Sequence, residues 1–286
     1  MTGGAGFIGY WTVRALLESG HEVRVVDNLS RASFHDKLGE MGVDLSRVDV
    51  RDLSGLRSAL EECDAVLHLA ALISVNESAE KPLLYHDVNA TGTLNLLKAS
   101  LDAGIRRVVY SSSAAVYGEP ERVPIDEDHP TRPISIYGAS KLSGELYCRA
   151  FHETYGLSVV VLRYFNVYGP GQSPEYAGVI AKFAERLSRG MPLVIYGDGK
   201  QTRDFIHVRD VARANLLALT SDVEFGVYNV GSGRATSVLE LAEIMQKLVG
   251  LNLEPKFESP QPGDVRHSVA DVSRARRELG FCPTLR

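Results

Sequence analysis

Thr2-Gly3-Gly4-Ala5-Gly6-Phe7-Ile8-Gly9, followed after one helical stretch by Glu22-Val23-Arg24-Val25-Val26-Asp27, decides the fold class. Gly3, Gly6 and Gly9 form a G-x-x-G-x-x-G loop. Glycine allows a tight turn and a close approach to a pyrophosphate, and the helix predicted over 7–19 offers free N–H groups and a partial positive charge. Alone, such a loop is equally an ordinary turn. Here it opens a helix and precedes a strand ending in Asp27, where a carboxylate reads the ribose hydroxyls of a dinucleotide. A carboxylate there repels a 2′-phosphate and favours NAD over NADP, while nearby Arg31 pulls the other way. The plainer reading of Asp27 is a solvated acid at a strand end. Asp52, after a candidate strand at 47–50, is expected to face the adenine.

Working outward, short apolar runs at 22–27, 65–69, 107–111 and 158–164 read as buried strands. Helical patterns at 7–19, 54–61, 85–103 and 138–155 separate them. This alternation predicts an α/β fold, a doubly wound parallel sheet of the Rossmann type, with ligands at the carboxyl ends of the strands. After Tyr168 the pattern changes, with a Gly/Pro loop at 169–174 and helices near 178–188 and 237–248. The expected division is a dinucleotide domain of 1–168 plus about 203–222, and a smaller C-terminal α/β substrate lobe of about 169–202 and 223–286. A strand should precede Thr2, yet only Met1 is available. The expectation is a truncated start that leaves unpaired backbone and a gap in the core. The abrupt end after 280–284 suggests a missing last helix.

The net charge of −5 and pI near 5.9, with no Lys/Arg run, argue against a nucleic-acid partner. Cys63, Cys148 and Cys282 are odd in number and far apart, so they read as reduced thiols rather than a disulfide framework. Neither they nor the histidines have metal-ligand spacing. No apolar run approaches the length of a membrane span, and the glycine loop at Gly3 leaves no room for a signal peptide, so a cytoplasmic protein is expected.

Tyr137-Gly138-Ala139-Ser140-Lys141 is Y-x-x-x-K at a helix start, which puts phenol and ammonium on one face. A nearby ammonium and a cationic nicotinamide both favour the phenolate, moving tyrosine from its usual pKa near 10 towards a general acid–base range. A second copy, Tyr196 to Lys200, spans Gly-Asp-Gly and reads as a turn. Context favours the first: Ser111-Ser112-Ser113 ends a strand upstream and would place a hydroxyl at the carboxyl edge of the sheet. Polar capping of a strand end is the alternative for those serines.

TGGAGFIG (2–9), HLAA (68–71), SSSAAVYG (111–118), YGASK (137–141), RYFNVYGPG (163–171), GDGKQTRDFIHVRDVA (197–212) and PGDVRHSVAD (262–271) together resemble the extended short-chain dehydrogenase/reductase superfamily. Within it, the NAD-dependent epimerases and dehydratases, and the UDP-glucose 4-epimerase group above all, are most similar. The resemblance covers nearly the whole chain. It implies tightly bound NAD and a UDP-sugar substrate. Tyr137 would take the proton of the sugar 4-hydroxyl while hydride leaves C4, Lys141 would hold the nicotinamide ribose, and Ser113 would bond the 4-oxygen. The resemblance also implies cofactor contacts at Gly3, Gly6, Phe7, Ile8, Gly9, Asp27, Asn28, Asp52, Leu53, Leu69, Ala70, Ala71, Asn89, Ser111 and Tyr164, besides Tyr137 and Lys141. Asn166, Val179, Arg203, Asp264, Arg266 and Ser268 match substrate positions. Arginine suits a diphosphate because its planar fork makes paired bonds. The plain alternative for Arg203 and Arg266 is a surface ion pair with a neighbouring aspartate. Gln261 stands where some epimerases carry Arg, so one phosphate contact is lost or supplied by Arg266.

Dehydratases of this kind carry acids after the catalytic hydroxyl, whereas this chain has Ala114-Ala115, which cannot transfer a proton. Oxidation and re-reduction at C4 remain, which is epimerisation. Ser268 matches a position where bulk excludes N-acetyl groups, and a serine leaves room for them. Helices near 85–103 and 138–155 match a four-helix dimer interface, so a homodimer is expected. The competing readings are a UDP-glucuronate epimerase or NDP-sugar reductase on the same scaffold, and a non-catalytic NAD-binding regulator, which should lack Tyr137 or Lys141.

Overall fold

The computed structural model describes residues 1–173, 178–260 and 265–285. In chain order the elements are α1 (Phe7–Glu18), β1 (Arg24–Val26), α2 (His35–Glu40), β2 (Asp44–Ser46), α3 (Leu53–Ala59), β3 (Ala65–His68), α4 (Val75–Glu80), α5 (Pro82–Tyr85), a π-helical turn (His86–Thr91), α6 (Gly92–Asp102), β4 (Arg107–Ser113) and a 3-10 turn (Ala114–Val116). Then come α7 (Ile136–Tyr155), β5 (Ser158–Tyr164), β6 (Asn166–Tyr168), α8 (Val179–Ser188), β7 (Val194–Tyr196), β8 (Thr202–Arg203), β9 (Phe205–His207) and α9 (Val208–Thr220). The chain continues with β10 (Phe225–Val230), β11 (Thr236–Ser237), α10 (Val238–Leu248), β12 (Lys256–Glu258), β13 (His267–Ser268) and α11 (Ser273–Leu279).

The main sheet is parallel. β10, β5, β4 and β3 lie side by side, β1 pairs with β2, and Thr2 bridges β3 to β1. Between β1 and β3 the sheet is therefore bridged at its carboxyl end. Thr2 N–H donates to the Leu67 carbonyl (2.9 Å) and its carbonyl accepts from Leu69 N–H (3.2 Å). On the other side Gly3 N–H donates to Val26 O (2.9 Å) and Val26 N–H to Met1 O (2.8 Å). These residues close the ladder at its carboxyl end, where the glycine loop departs, and the expected gap is absent there.

The strands are apolar because both faces are covered. Alternation along β4 and β5 sends Val108, Tyr110, Val159 and Val161 towards Leu56, Leu96, Leu97, Cys148 and Phe151 on α3, α6 and α7. It sends Val109, Val160 and Leu162 towards Leu16, Val211, Ala214 and Ala218 on α1 and α9. The smaller lobe has its own core, in which Phe183 and Leu187 meet Leu193, Ile195, Val238 and Leu241.

Two expectations are corrected here. β10 belongs to the main sheet, in register with β5 from Phe225↔Val159 to Val230↔Tyr164, and α11 packs its Ala275 and Leu279 into the same core as α9. The boundary drawn at 223 therefore falls within the dinucleotide domain, because composition does not reveal which edge of a sheet a late strand joins. The helix expected over 85–103 is interrupted by a π turn. Inside it, buried Asn89 accepts from Leu72 N–H (2.8 Å) and donates to Leu72 O (2.9 Å) and Ser140 Oγ (2.9 Å). Such turns commonly mark functional sites. Among the described residues no helix is long and apolar enough to cross a membrane.

Candidate active site

A cleft of about 250 Å³ opens at the carboxyl ends of the sheet strands, lined by Gly3, Gly6, Phe7, Ile8, Gly9, Asp27, Asn28, Leu69, Ala70, Ala71, Ser111, Tyr137, Lys141 and Tyr164. These are most of the expected cofactor positions. Gly3 has φ +69°, and a Cβ there would lie 2.5 Å from Ala70 N; a Cβ on Gly9 would lie 2.1 Å from Gly3 O. A Cβ on Gly6 would meet only Gly3 O, at 3.4 Å, so that glycine leaves space in the cleft instead of within the protein. No side chain caps α1 and no acid occupies its first turn, which leaves its N-terminal dipole available to an anion. Asp27 accepts from Ala5 N–H (3.1 Å) and Leu29 N–H (2.8 Å), so backbone groups orient its carboxylate at the cleft. The arrangement fits a dinucleotide.

Three expected cofactor positions lie elsewhere. Asp52 is exposed and caps α3, accepting from Gly55 N–H (3.0 Å) and Ser54 Oγ (2.8 Å), and neither it nor Leu53 lines the cleft. The strand expected at 47–50 is β2, at 44–46, so the cleft wall is Val48 and Val50, with Asp49 between them bonding Asn28 Nδ2 (2.8 Å). Asp49, three positions before Asp52, reaches the cleft only through Asn28, which lines it. Asn89 does not line the cleft; it fixes the Leu72 backbone, which does.

The expected catalytic pair, Tyr137 and Lys141, sits at the start of α7. Ser135 caps that helix by accepting from Gly138 N–H (3.0 Å), which places Tyr137 and Lys141 one turn apart against the ends of β4 and β5. Ser113 does not line the cleft; at the end of β4 its Oγ accepts from Ala115 N–H (3.2 Å). Burial raises the Tyr137 pKa and the Ser113 hydroxyl opposes the rise. Burial lowers Lys141 to about 8. The protein's own groups thus do not bring the phenol down as the Y-x-x-x-K spacing suggests. In this desolvated corner the cost of a buried phenolate outweighs them, and the positive nicotinamide ring is the remaining contributor of those anticipated.

Spacing left several supporting residues unnoticed. The Tyr110 ring lies 4.6 Å from Lys141 Nζ, and its hydroxyl donates to Lys141 O (3.1 Å). Glu145, one turn beyond Lys141, accepts from Ser112 Oγ and forms a buried ion pair with Arg163 (2.7 Å). Arg163 Nη1 reaches on to Tyr117 Oη (2.9 Å), which bonds Asn229 Oδ1 (2.6 Å). Tyr137, Lys141 and Glu145 stand at i, i+4 and i+8, a signal that was readable. Ser78 on α4 accepts from Tyr137 N–H (3.2 Å), a contact between distant segments with no local signature.

A second cavity of about 440 Å³ shares Ile73 and Gln172 with the first and is lined by Asn166, Val179, Lys182, Gln201, Arg203 and Phe205 among others. Asn166 is held there by Asp204, whose carbonyl accepts from Asn166 N–H (3.0 Å) and Nδ2 (3.3 Å). Arg203 is buried. The surface ion pair applies to Arg266, which is exposed, forms a two-pronged bond with Asp198 (2.7 and 2.9 Å), and does not line the cavity. Buried Ser268 pairs in register with Arg203 across β13 and β8. Asp264 and Gln261 lie outside the described residues.

Residues 1–231 match the NAD dependent epimerase/dehydratase family. The chain belongs to that family. Membership makes NAD the cofactor of this cleft. The putatively named UDP-glucose 4-epimerase of Methanocaldococcus jannaschii is 38% identical over 290 residues, covering 100% of this chain and 93% of its own length. A UDP-glucose 4-epimerase of Thermotoga maritima, solved with UDP-glucose, is 40% identical with a TM-score of 0.95, covering 100% of this chain and 93% of that one. A UDP-N-acetylglucosamine 4-epimerase of Methanobrevibacter ruminantium, solved with UDP-N-acetylmuramic acid, is 41% identical with a TM-score of 0.92, covering 99% and 91%.

Proposed function

We propose that this epimerase-family chain interconverts UDP-hexoses at C4, UDP-galactose with UDP-glucose, through a transient 4-keto sugar. The observation that carries the reading is that Tyr137 and Lys141 line a dinucleotide cleft that shares Ile73 and Gln172 with the cavity lined by Asn166 and Arg203. The glycine loop and Asp27 would hold NAD, which when bound would supply a hydride acceptor and donor. Tyr137 takes the proton from the sugar 4-hydroxyl as hydride leaves C4, and returns it to the 4-oxygen when hydride comes back to the opposite face of C4 after the 4-keto sugar has turned over. Ser113 donates to that oxygen. Lys141, with a pKa of about 8, remains mostly protonated at neutral pH and bonds the nicotinamide ribose. Buried Arg203 and Asn166 are assigned to the diphosphate and nucleotide, with Val179 against the base. Ala114 and Ala115, in the turn after Ser113, offer no acid for eliminating water.

Ser268, small and buried beside Arg203, supports acceptance of N-acetylated sugars as well. Leu146 and Tyr155 on α7 are 61% and 56% exposed, which supports a homodimer in which that helix packs against its partner. The free thiols of Cys63, Cys148 and Cys282 support a cytoplasmic setting. The test is conversion of UDP-galactose to UDP-glucose by purified protein without added NAD, with Tyr137→Phe as control. Conversion abolished in the variant is expected; no conversion after NAD is supplied would overturn the reading.

A further inference from the structure

Two jaws line the dinucleotide cleft. One is the turn after β1, with Ser30, Arg31 and Ser33 on the wall; the other is the segment after β3, with Ala71, Leu72 and Ile73. The first jaw is locked at its root, since Leu29 N–H donates to Asp27 (2.8 Å) and Ser30 N–H to Asn28 Oδ1 (3.0 Å). The second leads directly into α4, which is fixed by its Ser74 cap on Glu77 N–H (3.2 Å) and by Ser74 N–H donating to Tyr85 Oη (2.9 Å).

Between these jaws the Arg31 guanidinium donates to the Glu77 carboxylate, with side chains 24% and 20% exposed. Glu77 is further held by Tyr85 Oη (3.0 Å) and Lys81 Nζ (3.1 Å). Arg31 foremost keeps its carboxyl down at about 2, so both partners are charged. The next residue, Ser78, holds Tyr137 N–H, so the helix that anchors the pair also touches the catalytic turn.

We propose that Arg31 and Glu77 form a clasp across the dinucleotide cleft that slows release of bound NAD. A dinucleotide lying between the turn after β1 and the segment after β3 leaves sideways only when these segments part, and this ion pair joins them. Arg31 committed to Glu77 is also drawn away from a 2′-phosphate, which removes its conflict with Asp27. The inference rests on the NAD of the family and not on which sugar nucleotide is converted.

The test measures release of NAD from purified holoenzyme, followed as NADH formed by excess alcohol dehydrogenase and ethanol. Wild type, Arg31→Gln, Glu77→Gln and the double variant are compared. Each single variant is expected to release NAD about three- to fivefold faster, the upper end for one lost, partly shielded ion pair, and the double variant no faster than either. Arg31→Gln leaves the Tyr85 and Lys81 bonds to Glu77 in place, so it carries the test if Glu77→Gln fails to fold. Release from Arg31→Gln within twofold of wild type would overturn the clasp. So would single effects that multiply in the double variant.

Discussion

Replacing Glu145 by Gln tests whether the buried ion pair behind the catalytic helix supports both the fold and Lys141. The side chains of Arg163 and Glu145 are 7% and 6% exposed, and Arg163 makes three contacts with that carboxylate, at 3.0, 3.3 and 2.7 Å. Gln is isosteric and still accepts one bond, but it leaves the guanidinium charge buried without a counter-charge. The cost is about 3 kcal/mol, the lower end for breaking a buried pair from one side. For 286 residues the unfolding entropy is about 0.6 kcal/mol per degree, so Tm should fall by about 5 °C. Burial depresses Lys141 to about 8 and Glu145 opposes that depression, so removing its charge lowers Lys141 further. The charged lysine is then lost at lower pH, and the limb of the pH–activity profile set by Lys141 shifts to the acid side. Paired scanning calorimetry and pH–rate profiles read both effects. A Tm within 1 °C of wild type together with an unmoved limb would refute the reasoning.

Two glycines in one loop should separate binding from folding. Gly6→Ala meets only Gly3 O, at 3.4 Å, and otherwise fills the cleft, so NAD affinity should fall at least tenfold with little change in the Tm of cofactor-stripped protein; Gly9→Ala, at 2.1 Å from Gly3 O, should lower both. Titrating NAD into the stripped variants checks this. Asp204→Asn should cost about 2–4 kcal/mol, because the buried carboxylate accepts from Ser232 N–H, Ser232 Oγ, Gly233 N–H and Ala270 N–H and an amide has one acceptor oxygen. Since Asp204 backbone groups also hold Asn166 and Ser268, KM for the sugar nucleotide should rise more than kcat falls.

What the sequence determined by itself was local or periodic. The apolar runs became the main strands, Gly3, Gly6 and Gly9 became the close-approach loop, Asp27 the strand-end acid, and Tyr137 and Lys141 neighbours on α7. Each depends on a repeat of two or about four residues, or on a clash that only glycine avoids, and such features travel with the chain. Asp52, which caps α3, and Asp49, which bonds the cleft-lining Asn28, were not told apart because a short strand of weak alternation has no clear end in sequence.

Tertiary structure alone decided the rest. It seated Thr2 between β1 and β3, joined β10 to β5, turned Arg266 out to Asp198, and carried Arg31 across to Glu77 and Ser78 under Tyr137. These partners are separated by tens of residues or more, and the choice among many chemically equivalent acids and hydroxyls is made only when the helices pack. It also set the sign of the tyrosine's shift. Y-x-x-x-K promises a cation near the phenol, but how much water remains around both is a property of the packed site, and here burial outweighs the rest.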